Sequence, residues 1–193
     1  MSAADTGPMM IYYGQELGEQ AKDNEGFAGD NNRTTIFDYW SLDTVRRWYN
    51  NGECDGAHLT SQEKWLRSTY AKILSICNKE KAISEGTFFD LMYVNLNNPD
   101  FNPHRQFAFL RHYGDDTLLI VANFDHQAVD IKVNIPNKAF DYMDLPDGQG
   151  LCVELLSGTR QSKRLTRGER FELSVGANSA SIWRIRKKNF KPI

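Results

Sequence analysis

The chain has 193 residues, of which 40% are hydrophobic and 25% are charged, and its formal net charge is -2. This balance is typical of a soluble globular protein and lacks the basic excess that a nucleic-acid partner would favour. Cys54, Cys77 and Cys152 are odd in number and widely spaced, which argues against a disulfide framework or a zinc site. No transmembrane run and no signal peptide is recognisable, so the compartment of the protein stays unknown.

The chain begins with a short apolar run at residues 8–13, which ends at Gly14. Such a run predicts a strand that is buried on both faces, as in a parallel sheet. Residues 14–59 are polar and irregular but contain six aromatic residues, which argue against disorder. Within this stretch we expect a short helix over residues 43–49, with Ser41 or Asp43 as its cap.

The clearest helix signal follows at Thr60. Thr60 and Glu63 form the pattern of a capping box. Apolar residues then recur at helical spacing and predict a helix over residues 61–78. Its apolar stripe consists of Leu66, Tyr70, Ile73 and Cys77.

From about residue 84 the pattern changes to short strand-like runs separated by turn residues. Their number and spacing predict an antiparallel β-sandwich. The seven predicted strands are residues 87–94, 106–113, 117–124, 129–135, 152–156, 169–175 and 179–185.

The expected core of this sandwich follows from the alternation of apolar and polar residues along the strands. We expect it to include Phe107, Phe109, Leu119, Val121, Leu155, Phe171, Leu173, Ile182 and Trp183.

Two motifs resemble the end of an α-amylase-family glycoside hydrolase. Residues 7–16, GPMMIYYGQE, are similar to the eighth barrel strand of that family, with its G-x-P-x-I-Y-Y-G-x-E pattern. Residues 30–38 resemble the N-x-R-x-P-M-x-W stretch of the loop that follows, with Thr35 in place of the proline and Phe37 near the tryptophan. The predicted helix and the hairpin at residues 106–124 match the eighth barrel helix and the start of the family's C-terminal sandwich.

The resemblance implies a mainly β chain in two parts. Residues 1–83 would be an α/β remnant of the catalytic (β/α)8 barrel, or TIM barrel, and residues 84–193 the C-terminal antiparallel β-sandwich. The family cleaves α-glucans with two carboxylates about 5–5.5 Å apart. The family's catalytic carboxylates come from earlier strands, so we expect no catalytic residue in this chain and no activity of the chain alone.

The resemblance also indicates which residues would contact the substrate of an intact parent. Tyr13, Phe37 and Trp40 could stack on sugar rings, and Glu16 would lie near the substrate cleft. Arg33 could bind sugar hydroxyls or pair with a catalytic carboxylate. The alternatives are that Tyr13 packs, that Glu16 orders its loop and that Arg33 forms a salt bridge. No cofactor or metal is expected. The expected partners are the α-glucan or malto-oligosaccharide substrate of the parent and, through residues 1–80, a second copy of the chain.

A competing hypothesis is a non-enzymatic carbohydrate-binding or interaction module. Such a module should expose two or three aromatic side chains on one sheet face or loop tip. Trp183 lies in an apolar terminal strand, which favours a structural sandwich. The choice between hydrolysis and glucosyl transfer by the parent stays open.

Overall fold

The computed structural model describes residues 2–4, 7–20 and 42–192. These residues divide into two compact units, Pro8–Ser75 and Met1–Gly7 with Ile76–Ile193. The division falls inside one long helix, Ser61–Lys79. The domain boundary at residues 83 and 84 stays a prediction.

The unit at residues 8–75 is built from helices and turns. A 3-10 turn, Gln15–Leu17, is followed after the undescribed residues by helix α1, Asp43–Tyr49, and helix α2, Ser61–Lys79. The Glu63 amide donates to Thr60 Oγ1 at 3.3 Å, and the Thr60 amide donates to Glu63 Oε2 at 2.9 Å. The predicted capping box is therefore present. Neither predicted cap of α1 is seen, because Leu42 holds the N-cap position and Ser41 lies outside the described residues.

The strand predicted at residues 8–13 is wrong. This segment is irregular, and Met10 is 81% exposed. A parallel strand forms its hydrogen bonds with neighbouring strands. None of the described residues of this unit is in a strand, so Met9 to Tyr13 have no sheet to join. The barrel character of this unit therefore stays a prediction.

The second unit is mainly antiparallel β-sheet, as the sequence predicted. One sheet has the strand order β1-β2-β3-β8-β5-β6, with β9 beside β5, and β4 pairs with β7 in the other. The strands are β1 Thr87–Asp90, β2 Gln106–Tyr113, β3 Asp116–Asn123, β4 Val129–Asn134, β5 Gly148–Glu154, β6 Arg160–Leu165, β7 Arg170–Val175, β8 Ser179–Arg186 and β9 Phe190–Lys191. Three short helices accompany them: α3 Lys81–Ser84, α4 Met92–Asn95 and α5 Asn137–Tyr142.

An apolar cluster joins the two sheets. Leu119 and Val121 of β3 lie in it with Phe171 and Leu173 of β7, because alternate residues of each strand face inward. Phe109 and Ile182 are buried too, but they are not members of this cluster. Phe107 and Leu155 are only half-buried, so the prediction that they belong to the core is wrong for these two residues.

Arg111 of β2 is a buried charged residue, 2% exposed. Its Nε donates to the Ala82 carbonyl at 3.0 Å, and its Nη2 donates to the Ile83 carbonyl. The guanidinium therefore ties α3 to the sheet through the main chain.

The predicted strand at residues 87–94 is partly wrong. The Met92 amide donates to Asp90 Oδ1 at 2.9 Å, and this turn ends β1. The chain continues as α4, which is held by the fully buried Asn95. Asn95 Nδ2 donates to the Leu91 carbonyl at 2.7 Å, and the Asn134 amide donates to Asn95 Oδ1 at 2.9 Å.

The C-terminal strand β9 lies against a glycine-rich part of β5. Gly150 pairs with Phe190, and Gln149 pairs with Lys191. A Cβ added at Gly150 would lie 2.3 Å from the Phe190 ring, and one at Gly148 would lie 2.1 Å from the Lys191 carbonyl oxygen. Gly148 also has φ 147°, so both positions require glycine.

Two further properties concern only the described residues. None of their helices is long and apolar enough to cross a membrane. Across the same part of the chain, no three His, Cys, Asp or Glu side chains are grouped to hold a metal ion.

Candidate functional site

A cavity of about 770 Å³ lies within the unit at residues 8–75. One wall comes from the turn at Tyr13 to Leu17 and the other from α1 and the turns that follow it. Tyr13, Glu16, Trp48, Tyr49 and His58 are among its lining residues. The cavity therefore brings together two of the residues predicted from the sequence to contact substrate.

The turn that carries Tyr13 and Glu16 is fixed by Gly14 and Gln15. Gly14 has φ 80°, and its carbonyl accepts hydrogen bonds from the Leu17 and Glu19 amides, both at 3.0 Å. The Gln15 side chain accepts from the Tyr12 amide at 3.1 Å and donates to the Tyr70 hydroxyl at 2.9 Å. Because a Cβ at position 14 would lie 2.9 Å from Glu19 Cβ, only glycine fits this turn.

The wall formed by α1 is held by charged and polar pairs. Arg47 Nε donates to Glu63 Oε2 at 3.1 Å, and Arg47 Nη2 donates to Glu63 Oε1. These hydrogen bonds from Arg47 lower the pKa of the Glu63 carboxyl, while burial opposes them. The Thr44 hydroxyl donates to Glu19 Oε2. Helix α1 is therefore fastened both to the start of α2 and to the turn after Tyr13.

The turns after α1 contain an unusual run of left-handed backbone. Asn50, Asn51 and Cys54 have positive φ angles of 44°, 55° and 53°. Non-glycine residues rarely adopt this conformation, although asparagine does so more readily than most. Asp55 Oδ1 accepts hydrogen bonds from Asn50 Nδ2 at 3.0 Å and from the Ala57 amide at 2.9 Å. The hydrogen bond from the Ala57 amide, and to a smaller extent that from Asn50, lowers the pKa of the Asp55 carboxyl. Both bonds also hold the turn at the cavity rim in shape.

The cavity combines aromatic rings with hydrogen-bonding groups. Tyr13, Trp48 and Tyr49 present flat apolar surfaces, while Glu16 and His58 carry donors and acceptors. Aromatic surface beside polar groups suits a polyhydroxyl ligand. Among the described residues that line the cavity, Glu16 is the one carboxylate, and retaining hydrolysis needs two. The lining described here can therefore bind and orient a ligand, but it does not hold a catalytic pair.

Another predicted contact residue, Arg33, lies outside the described residues, as do Phe37 and Trp40. Trp48 and His58 line the cavity but were not predicted as site residues. Trp48 was visible only as one of several aromatics in a polar stretch, and His58 as an isolated histidine. Their position depends on how the turns after α1 fold back, which neither residue signals by itself.

The aromatic side chains of the sandwich are arranged in two ways. Trp183 is 5% exposed, which agrees with a structural strand. The half-buried Phe89 lies between two exposed tyrosines, with ring centroids 6.4 Å from Tyr93 and 6.2 Å from Tyr142. The sandwich therefore shows an exposed aromatic group that its sequence pattern did not predict.

Comparison with known proteins finds a matching domain family and several similar solved structures. Residues 100–159 match the family described as maltogenic amylase, C-terminal domain. No curated protein matches the chain. In the crystal structure of AmyP in complex with maltose, the similarity covers 94% of this chain and 32% of that chain, with a TM-score of 0.62 and 16% identity. The similarity to a variant of AmyP in complex with maltotriose covers 95% of this chain and 32% of that chain, with a TM-score of 0.59 and 17% identity.

A third similar structure is that of CldA, a cyclomaltodextrin glucanotransferase with a three-domain ABC distribution. The similarity covers 95% of this chain and 30% of that chain, with a TM-score of 0.53 and 16% identity. The chain thus spans about a third of the length of these structures. The chain has the fold of the C-terminal part of an α-amylase-family glycoside hydrolase, as its sequence motifs predicted, and residues 100–159 match the maltogenic amylase C-terminal domain.

Proposed function

We propose that the chain is the C-terminal part of an α-amylase/α-glucosidase-like glycoside hydrolase that acts on α-glucans. Residues 1–83 are the end of its catalytic barrel, and residues 84–193 are a structural sandwich. The observation that carries this proposal is the match of residues 100–159 to a maltogenic amylase domain. The similarity to AmyP and CldA over 94% and 95% of this chain supports it.

The cavity in residues 8–75 gives the chain a part in substrate binding. Tyr13 and Trp48 can stack on the C–H faces of pyranose rings, and Glu16 can accept hydrogen bonds from sugar hydroxyls. Two of the similar structures hold maltose and maltotriose. The ligand that best suits this lining is therefore an α-linked malto-oligosaccharide.

The reaction itself needs a carboxylate nucleophile and a carboxylic acid that protonates the leaving oxygen. In the proposed parent, upstream strands supply both groups, while Tyr13, Glu16 and Arg33 bind and orient the substrate. The 193-residue chain alone should not hydrolyse starch, maltose or an aryl α-glucoside.

The test compares the 193-residue chain with a protein extended upstream to include the whole barrel. Only the extended protein should release reducing sugar from starch. In it, Glu16→Gln should raise KM for maltotriose, and Glu53→Gln, an exposed residue that does not line the cavity, serves as the matched control. Enzymatic release by the purified 193-residue chain, or no release by the extended protein, would overturn the proposal.

We also expect the chain to self-associate through residues 1–80. Residues 8–75 expose several large apolar side chains, including Met10, Tyr12, Tyr49 and Trp65. Their burial would favour association by about 25 cal/mol per Å², against the cost of joining two chains. Light scattering over a dilution series should show a mass that rises with concentration. A monomer at every concentration would contradict this expectation.

The exposed aromatic group in the sandwich favours a second candidate function, a non-enzymatic carbohydrate-binding module. Tyr93 and Tyr142 are two exposed aromatics beside Phe89, although they lie in α4 and α5 and not on a sheet face or loop tip. The extended protein separates the two functions, because a binding module would bind starch without cleaving it.

A further inference from the structure

The inward-facing side chains of β8 are apolar at one end of the strand and polar at the other. Ile185 and Trp183 belong to the apolar cluster between the sheets, but the next residues on the same face are Ser181 and Ser179. Ser181 stands opposite Val121, and Trp183 stands opposite Leu119, so the neighbouring strand remains apolar at these positions. The core of the sandwich therefore becomes polar and less filled towards the start of β8.

A groove of about 450 Å³ opens at this place. In the described part of the chain β6 and β7 belong to different sheets and do not pair, so the space between them stays open. The turn between β5 and β6 borders the groove as well. Its polar lining includes Glu154, Gln161, Lys163, Ser174, Ser181 and Trp183.

One buried polar group on the lining of this groove lacks a partner. Trp183 Nε1 has no hydrogen-bond partner among the described residues, although the side chain is 95% buried. Buried polar groups nearly always have partners. The Ser181 hydroxyl lines the same groove two residues earlier in β8 and makes no hydrogen bond within the described ranges. The unpartnered indole N–H, with a free hydroxyl beside it in one groove, indicates a ligand that hydrogen-bonds to both.

The charged groups of the groove are already engaged. Glu154 accepts hydrogen bonds from the Leu156, Ser157 and Ile182 amides at 3.2, 2.6 and 2.9 Å. Lys163 Nζ donates to the Glu172 carbonyl at 3.0 Å and lies 4.8 Å from the centre of the Trp183 ring. The groups left for a ligand are therefore an indole N–H, hydroxyls and an amide, which suit an uncharged polyhydroxyl molecule.

We propose that the sandwich binds a malto-oligosaccharide in this groove, with Trp183 Nε1 and the Ser181 hydroxyl as its hydrogen-bonding groups. The choice of an α-linked glucan rests on the proposed function. The groove volume lies within the range of about 300–1,000 Å³ that small-molecule sites occupy. Its residues all lie between Glu154 and Trp183, so this site is separate from the cavity in residues 8–75. The sandwich would then hold substrate as well as support the barrel.

The test uses the 193-residue chain labelled with ¹⁵N and titrated with maltotriose, with cellobiose as the linkage control. The indole N–H signal of Trp183, assigned by its loss in Trp183→Phe, should shift with maltotriose and not with cellobiose. Ser181→Ala removes the hydroxyl without adding bulk and should weaken binding about tenfold, since one hydrogen bond is lost. Ser162→Ala, on the opposite face of β6, is the matched control and should leave the affinity unchanged.

The amide spectrum of each variant shows whether it folds. Saturating maltotriose that leaves the Trp183 indole signal unmoved would overturn the proposal, and so would equal affinities for Ser181→Ala and Ser162→Ala. Loss of binding in Tyr142→Ala with an unchanged affinity in Ser181→Ala would overturn it in favour of the exposed aromatic group. If the extended protein cleaves starch while the groove binds nothing, the proposed function stands and this inference fails. If the groove binds maltotriose but the extended protein is inactive, the reverse holds.

Discussion

The two compact units are stabilised in different ways. In the sandwich unit, side chains from both sheets meet in one apolar cluster. In the described part of residues 8–75, Leu17, Leu42, Val45 and Leu59 form a separate cluster, with Tyr13 and Trp48 packed against it. A glycine turn, a capping box and the Arg47–Glu63 ion pair hold this part as well. The sandwich thus rests on contacts between strands of two sheets, whereas turns, caps and charged pairs fasten the helices of the other unit.

The largest difference between the units should appear in the reactivity of their thiols. Cys54 is exposed in the first unit, while burial raises the pKa of Cys152 in β5 to about 12. Because the thiolate is the reactive species and its small population outweighs its greater nucleophilicity, Cys152 should react with Ellman's reagent at pH 8 at least about 50-fold more slowly than Cys54. Stopped-flow absorbance measures both rates. The double variant Cys54→Ser/Cys77→Ala isolates Cys152, and a fast phase in that variant would contradict the prediction.

Core truncation should separate the units next. Leu119 and Leu42 are both fully buried, one in each unit. Leu119→Ala should lower the free energy of unfolding of the sandwich by about 2–5 kcal/mol. Leu42→Ala should change that free energy by less than about 0.5 kcal/mol, because Leu42 belongs to the other unit. Urea unfolding followed by the β-sheet circular-dichroism signal measures both, and an equal loss would show that the units unfold together.

Two arginines give a smaller contrast. Arg111 donates to main-chain carbonyls inside the sandwich unit, whereas the Arg47 side chain is 34% exposed beside Glu63. Arg111→Met leaves the Ala82 and Ile83 carbonyls without these donors and should cost about 1–3 kcal/mol. Arg47→Met should cost at most about 1 kcal/mol, as expected for a partly exposed ion pair. Thermal unfolding compares the variants, and a larger effect of Arg47→Met would reverse the order.

The smallest effect should be the pH dependence of helix α2. Hydrogen bonds from Arg47 lower the pKa of Glu63 below its ordinary value, so the ionised carboxyl favours the folded state. This contribution is complete above the ordinary pKa of about 4.3 and is lost as the pH falls through the lower, folded value. Glu63→Gln should therefore lower the free energy of unfolding at pH 6 by about 1 kcal/mol and by less at pH 3. Glu53→Gln is the control, and an equal effect of Glu63→Gln at both pH values would contradict the argument.

The parts of the fold that the sequence predicted well are those determined by local or alternating signals. Thr60 and Glu63 mark the start of α2, and β2 begins and ends where its apolar pattern does. Strand β6 was missed because Arg160 to Arg164 are polar on both faces of an edge strand. The strand at residues 8–13 was predicted because its apolar run matches a buried strand, but a strand also needs partners that are distant in sequence.

The candidate site was predicted only in part for a similar reason. Tyr13 and Glu16 were recognised through their motif, and the structure places both on the cavity. Trp48 and His58 reach the same cavity because Asn50, Asn51 and Cys54 adopt a left-handed backbone conformation. The sequence pattern does not predict that conformation. The groove beside Trp183 depends on which strands remain unpaired, and that is a property of the sheet topology.

The contact between β9 and β5 constrains how this sequence can vary. Gly150 has no room for a side chain, because an added Cβ would lie 2.3 Å from the Phe190 ring and 2.7 Å from the Asn189 carbonyl oxygen. A smaller residue at position 190 would remove the ring, but the Asn189 carbonyl is present whatever residues stand there. Gly148 is crowded by the main chain of Lys191 in the same way. Both positions should therefore stay glycine among relatives of this protein, even where the residue at position 190 changes.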